Sequence, residues 1–257
     1  MNWYKGKRIY FRRVNNIINA FGFNFKKFYY LKNIFRFFLE IKKFLSKGGK
    51  IKNIYPFLDD YEVNAGNIKN HLFHADLLIS QYINENKPEK HLDIGSRIDG
   101  LVAHVASFRN IDVLDIRNID ISPHRNINFI KADINEFSGK SIYDSISSIG
   151  VISHIGLGRY GDTIDPDGHK SAIKKICNLI KAKGLIYIMV PVGKPGVEFN
   201  SHRVFYPTEM IDYFNNYNCK LINFHLVDDD GDLHLDFDIN LANKYNFGGG
   251  IYVFEKN

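Results

Sequence analysis

The segment "HLDIGSRIDG", His91–Gly100, decides the fold. An apolar run closes on Asp93, Gly95 follows, and Gly100 stands where the apolar helical pattern "IDGLVAHVASF" begins. This is how the first strand of a doubly wound sheet turns into its helix, and ligands of such sheets sit beyond the carboxyl ends of the strands. A dinucleotide fingerprint would place a second glycine at position 97, but Arg97 is there. A pyrophosphate needs close backbone approach, so this turn argues against NAD.

Outward from that turn the pattern is regular. "NIKNHLFHADLLISQYINENK" reads as a helix before the first strand; "IDVLDI", "INFIKADI" and "YDSISSIGVI" read as the next three strands. A helix over "HKSAIKKICNLIKAK" is expected to stop at Gly184, with lysines in its last turn. The strand "LIYIMVPV" and the helix "YPTEMIDYFNNY" follow, with Pro207 near the helix start. The last two strands have no helix between them and are expected to be an antiparallel pair. Strands alternating with helices predict an α/β domain whose mostly parallel sheet is covered on both faces.

Three acids fall at successive strand ends. Asp93 closes the first strand, Asp115 the second and Asp133 the third. S-adenosylmethionine needs an acid for its amino group, an acid for its ribose hydroxyls and a slot for adenine, and carries no phosphate. Asp93, Gly95, Ser96, Gly100, Asp115 and Asp133 are therefore the candidate cofactor residues. Each acid alone is equally at home as a helix cap.

Residues 1–50 hold thirteen Lys/Arg against one acid, Glu40, so +12 sits there and −6 on the rest of a chain whose net charge is +6. The charged positions of "FYYLKNIFRFFLEIKKFLSK" recur at helical spacing opposite a Phe/Leu/Ile face. A basic aromatic helix suits an anionic membrane surface; packing on this domain or on a second subunit accounts for it equally well. Nucleic acid is not expected, because no binding motif accompanies the charge. The division expected is 1–50, a basic helical extension, and 51–257, the α/β domain. "MNWYKGKRIYFRRVNN" lacks the apolar core of a signal peptide, and no uncharged apolar run approaches the roughly 18 residues of a membrane span. Cys177 and Cys219, each alone in an apolar setting, make a disulfide framework improbable, and a cytoplasmic location fits, including the inner face of a membrane.

Two loops belong to the carboxyl edge of the sheet. In "SHIGLGRYGDTIDPDGH", His154 is placed to take a proton from an acceptor hydroxyl, or to bond the loop backbone. Arg159, Tyr160 and Asp162 are candidate acceptor contacts in the same loop. "PVGKPGVEFNSHRVF" adds Lys194, Asn200, His202 and Arg203, whose basic groups suit a nucleotide sugar or lipid-linked phosphate. No metal is expected: "DPDG" is ordinary turn chemistry, and "DDDGD" puts Leu226 and Phe237 at the first and last ligand places of a calcium loop.

From about Asn67 onward the chain resembles the seven-stranded, Rossmann-like S-adenosylmethionine-dependent methyltransferases. "HLDIGSRIDGLVAHVASF", "VLDIR", "SHIGLGRYGD", "VPVGKPGVEFNSHRVF" and "LVDDDGD" more closely resemble a bacterial family of uncharacterised function, DUF268. That resemblance implies a seven-stranded sheet with an antiparallel last strand. It also implies methyl transfer to a saccharide or glycan/lipid-carrier precursor in surface-polysaccharide biosynthesis. The alternative it leaves open is a non-catalytic member serving as an interaction module in a membrane-associated glycan assembly system.

Overall fold

The structure is a computed structural model that describes residues 14–15, 18–19, 21–22, 25–66, 68–119 and 124–257. The first thirteen residues of the basic extension lie outside the described residues. The chain divides into two compact units, Met1–Asn67 and Ile68–Asn257.

In the first unit, α1 (Phe25–Tyr30) passes through a tight turn, Leu31–Asn33, into α2 (Ile34–Ser46). Gly48, at φ +85°, follows the helix end, a backbone conformation that side chains resist. The segment after it folds back on the helices: Asn33 Nδ2 donates to the Leu58 carbonyl (2.8 Å), and Lys32 pairs with Glu62 (2.8 Å). Tyr61 donates to Glu40, and Arg36 lies 4.1 Å over the Tyr61 ring. The face away from this packing leaves Phe28, Leu31, Phe35, Phe38, Leu39 and Leu45 exposed at successive helical turns.

The second unit is built on one eight-stranded sheet. Its strands are β1 (His91–Ile94), β2 (Ile111–Asp115), β3 (Ile127–Lys131), β4 (Tyr143–Ile149), β5 (Ile180–Gly193), β8 (Cys219–Val227), β9 (Leu233–His234) and β10 (Phe247–Lys256). The order is β3-β2-β1-β4-β5-β10-β8-β9. β1 to β5 are mutually parallel, and β10 runs antiparallel to both β5 and β8. The eighth strand, absent from the seven-stranded expectation, is the two-residue β9, which pairs only with the end of β8. A separate hairpin joins β6 (Gly196–Glu198) to β7 (His202–Val204).

Alternation along the strands fills a core on each face. On one side Ile251 and Val253 of β10 join Ala75, Ile79 and Ile83 of α3 (His71–Asn86). On the other, Tyr252 and Phe254 join Ile173 and Ile176 of α5 (Gly168–Leu179) and Phe214 of α6 (Glu209–Asn215). Each fully buried isoleucine contributes about 1.5–3 kcal/mol. Cys177 and Cys219, distant in sequence, both lie free in this second core.

Two helices also differ from the sequence reading. The helix after β1 begins as a wide turn, Ile98–Val102, and only Ala103–Ala106 (α4) is regular helix. Gly100 (φ −112°, ψ −118°) interrupts it, and a side chain has no room there, since a Cβ would meet Asp76 Oδ2 at 2.5 Å. α5 stops at Leu179 rather than Gly184. Ile180 is already extended and pairs with Tyr143, and Lys181 bonds Asp144 (2.7 Å). The lysines expected in a last helical turn thus open a strand, and Gly184 is needed where a Cβ would press on the Asp144 carbonyl at 2.9 Å.

Candidate functional site

The sheet order reverses between β1 and β4, and a cavity of about 480 Å³ opens beyond their carboxyl ends, a size suited to a small ligand. Gly95 floors it at φ +68°, and a Cβ at that position would meet Val151 Cγ1 at 2.9 Å. Asp115 and Asp133 reach it from the ends of β2 and β3. Asp133 Oδ1 accepts the Asn135 N–H (2.8 Å) in a short turn.

Asp93, Ser96 and Gly100 do not line this cavity. Asp93 is fully buried, and its carboxylate accepts Ser96 Oγ (2.6 Å), Ser147 Oγ (2.7 Å) and the Ser96 N–H (3.0 Å). Ser96 Oγ in turn accepts the Ile149 N–H at 3.0 Å. Asp93 stands at a strand end as expected, but Ser96 of the following turn and Ser147 of β4 make it a strut between β1, its turn and β4. Burial pushes its carboxyl up to about 6, against the pull of those hydrogen bonds.

The loop after β4 owes its shape to Asp162. Burial alone would raise that carboxyl, but the N–H groups of Tyr160 (3.2 Å), Gly156 (2.7 Å) and Gly158 (3.2 Å) converge on it and hold it below its ordinary value. Gly156, Gly158 and Gly161 supply the positive φ this wrapping needs. Arg203 is a second organiser: Nη1 donates to the Ile155 carbonyl (2.5 Å) and Nη2 to that of Pro166 (3.1 Å). It is buried and does not line the cavity. Lys194 and Asn200 are exposed and also stand away from it.

His154 does line the cavity. Its Nδ1 lies 2.6 Å from the Ser201 carbonyl, and a carbonyl only accepts, so Nδ1 carries the proton and Nε2 keeps its lone pair. Arg159 Nη1 donates to the same carbonyl at 2.9 Å. Burial, with help from the Arg159 and His202 charges, lowers the imidazole to about 4. A row of rings runs along this wall: His71–Phe247 (5.5 Å), Phe247–His202 (5.0 Å), His202–His154 (6.4 Å) and His154–Tyr160 (5.8 Å).

Ser153, Arg117, His71 and Phe247 line the cavity without having been singled out from sequence. Ser153 Oγ is buried and makes no hydrogen bond within the chain. Arg117, two residues after Asp115 in "VLDIR", carried a signal of its own. His71 and Phe247 meet only through folding. The acidic turn after β8 is a turn indeed: Asp228 accepts the N–H groups of Asp230 (2.9 Å) and Asp232 (3.0 Å), while Asp229 accepts that of Phe247 (2.9 Å). Among the described residues no group of three His, Cys, Asp or Glu side chains is arranged to hold a metal.

No curated protein matches this chain. Residues 108–230 match the family described as "Caenorhabditis protein of unknown function, DUF268". The match to DUF268 spans β2 to β8 and contains Asp115, Asp133 and the whole His154 loop. Its description names Caenorhabditis, so the bacterial attribution does not carry over. Among solved structures, the Burkholderia thailandensis 1,6-didemethyltoxoflavin-N1-methyltransferase with bound S-adenosylhomocysteine is similar at a TM-score of 0.52 and 14% identity, covering 77% of this chain and 81% of that one. The cyclase SpnF matches equally well, at 0.52 and 10% identity, covering 75% and 85%. The fold is therefore the Rossmann-like methyltransferase fold. The cyclase on the same fold shows why fold alone does not fix the reaction.

Proposed function

We propose that this protein is an S-adenosylmethionine-dependent methyltransferase acting on a hydroxyl of a saccharide or of a glycan/lipid-carrier precursor in surface-polysaccharide biosynthesis. The observation that carries the reading is the His154 imidazole: Nδ1 is committed to Ser201, Nε2 is unprotonated, and the ring shares one cavity with Asp115 and Asp133. Gly95, Asp115 and Asp133 would hold the cofactor, which supplies an electrophilic methyl group. His154 Nε2 accepts the acceptor's proton, and Ser201 steadies the imidazolium that results. The row of rings offers flat faces for a sugar's C–H groups, and Ser153, with the imidazoles, offers hydrogen bonds to its hydroxyls. Arg159, Tyr160 and His202 are the acceptor contacts at the cavity; Asp162 and Arg203 support them by shaping the loop.

Mass spectrometry of the purified protein for retained cofactor, then transfer of a labelled methyl group onto fractionated cell-envelope precursors, tests this reading. Label in a saccharide fraction is the expected result. A second reading, a non-catalytic interaction module, is favoured by the self-satisfied Asp93, and absence of S-adenosylhomocysteine binding by calorimetry would select it. We assign the protein to the cytoplasm, with residues 1–50 lying on an anionic membrane surface. Among the described residues no helix is long and apolar enough to cross one.

A further inference from the structure

Of the two acids at the cavity, Asp115 at the end of β2 would be the one to take the cofactor's ribose hydroxyls, yet that carboxylate is already engaged within the chain. Arg117 Nε donates to Oδ1 at 2.9 Å, its Nη2 to Oδ2 at 2.5 Å, and its backbone N–H to Oδ1 at 2.8 Å. A carboxylate has about four lone-pair sites, so three are spent and a diol needs two. The Asp115 side chain is 6% exposed and the Arg117 side chain 46%, so the cation is the partner able to move. Its guanidinium lies 4.7 Å from the Tyr160 ring centre, and the Arg159 guanidinium lies 5.2 Å from the same ring. Arg159 is held by a backbone carbonyl rather than by a carboxylate.

We propose that Arg117 is a latch with two positions. It holds Asp115 until a ribose diol takes those oxygens, and its freed guanidinium, already beside Tyr160, then turns with that of Arg159 to hold an anionic group of the acceptor, a phosphate or a carboxylate. The proposal rests on S-adenosylmethionine being the cofactor. It makes cofactor binding the step that completes the acceptor site, because the anion clamp lacks one cation while Asp115 retains it. It also fixes an unusual sign: deleting a cation that lines the cavity tightens cofactor binding, since the diol no longer competes with the guanidinium fork.

Isothermal calorimetry on the full chain with S-adenosylhomocysteine tests the latch. Arg117→Ala is expected to bind about tenfold tighter, the scale of one charge-assisted hydrogen bond regained. Arg117→Lys, which keeps the charge and loses the fork, should fall between. Equal or weaker binding by an Arg117→Ala protein with unchanged thermal midpoint overturns the latch. Pyrophosphate and glucuronate are then titrated separately into wild-type protein saturated with S-adenosylhomocysteine. Salt-sensitive binding of one, lost in Arg117→Ala and in Arg159→Ala, identifies the anion as phosphate or carboxylate; binding of neither overturns the clamp. If wild type and Arg117→Ala both fail to bind S-adenosylhomocysteine, the cofactor reading itself falls and takes the latch with it. Binding by the variant alone supports the latch.

Discussion

His154 is half-buried and Asp93 fully buried, and in both burial favours the neutral form, which lowers the imidazole and raises the carboxyl. At His154 it keeps the ring neutral, so the proton-accepting form is present at every pH above about 4. Activity should therefore hold on acidification until near that value, well below the ordinary imidazole range, and then fall as Nε2 is protonated. His154→Ala should lower turnover by about 10²- to 10⁴-fold while leaving S-adenosylhomocysteine affinity nearly intact, and its residual rate should lack the acidic limb. A pH–rate profile of both proteins checks this; loss of cofactor affinity as well would make the ring structural. At Asp93 burial favours the neutral form, raising the folded-state value to about 6, above its value in the unfolded chain. Its contribution to stability is thus full in acid and is lost as pH rises through about 6. At neutral pH the buried charge costs on the order of 1–3 kcal/mol. Asp93→Asn should raise the thermal midpoint at pH 7.5 and lose that advantage near pH 4. A fall at pH 7.5 would mean that the Ser96 and Ser147 hydrogen bonds outweigh the cost of the charge.

The loop after β4 is the element that turns a common fold into a particular site. Asp162 gathers three of its N–H groups, so Asp162→Ala strands donors in a half-covered segment, at about 1–3 kcal/mol. Because the same wrapping positions Tyr160 and Arg159, the substitution should raise KM for the acceptor more than it changes cofactor affinity. Limited proteolysis should also cut faster between residues 156 and 165; an unchanged cleavage rate would mean Arg203 suffices. Sequence made the strands and helices around this loop legible, since period-2 and 3.6-residue patterns report burial directly. It also put Asp115, Asp133 and His154 at one edge, where all three line the cavity, because the ends of parallel strands share that edge. It misplaced Asp93, whose fate depends on Ser147 across the sheet, and Arg203, whose carbonyl partners lie 37 to 48 residues away. It could not assemble His71 with Phe247, or extend α5 correctly, because Ile180 reads as either helix or strand until Tyr143 pairs with it.

At the scale of the molecule, charge is partitioned as sharply as structure. The +12 of residues 1–50 contrasts with −6 on the remainder. Within α1 and α2, Phe28, Leu31, Phe35, Phe38, Leu39 and Leu45 form an exposed apolar stripe, with Lys27, Lys32, Lys42 and Lys43 exposed along the same helices. An anionic bilayer would answer both features, with acyl chains taking the rings and headgroups the lysines. Each basic residue near such a surface contributes about 1 kcal/mol and is screened by salt, whereas apolar insertion is not. The two contributions can thus be separated. Vesicles containing phosphatidylserine should co-sediment the full chain, and phosphatidylcholine vesicles should not. Raising salt should weaken binding steeply; Phe35→Ser with Leu39→Ser should weaken it at every salt concentration. Binding that ignores lipid charge would refute the assignment. A concentration-dependent dimer that those two substitutions dissolve would give the stripe to a second copy of the chain instead.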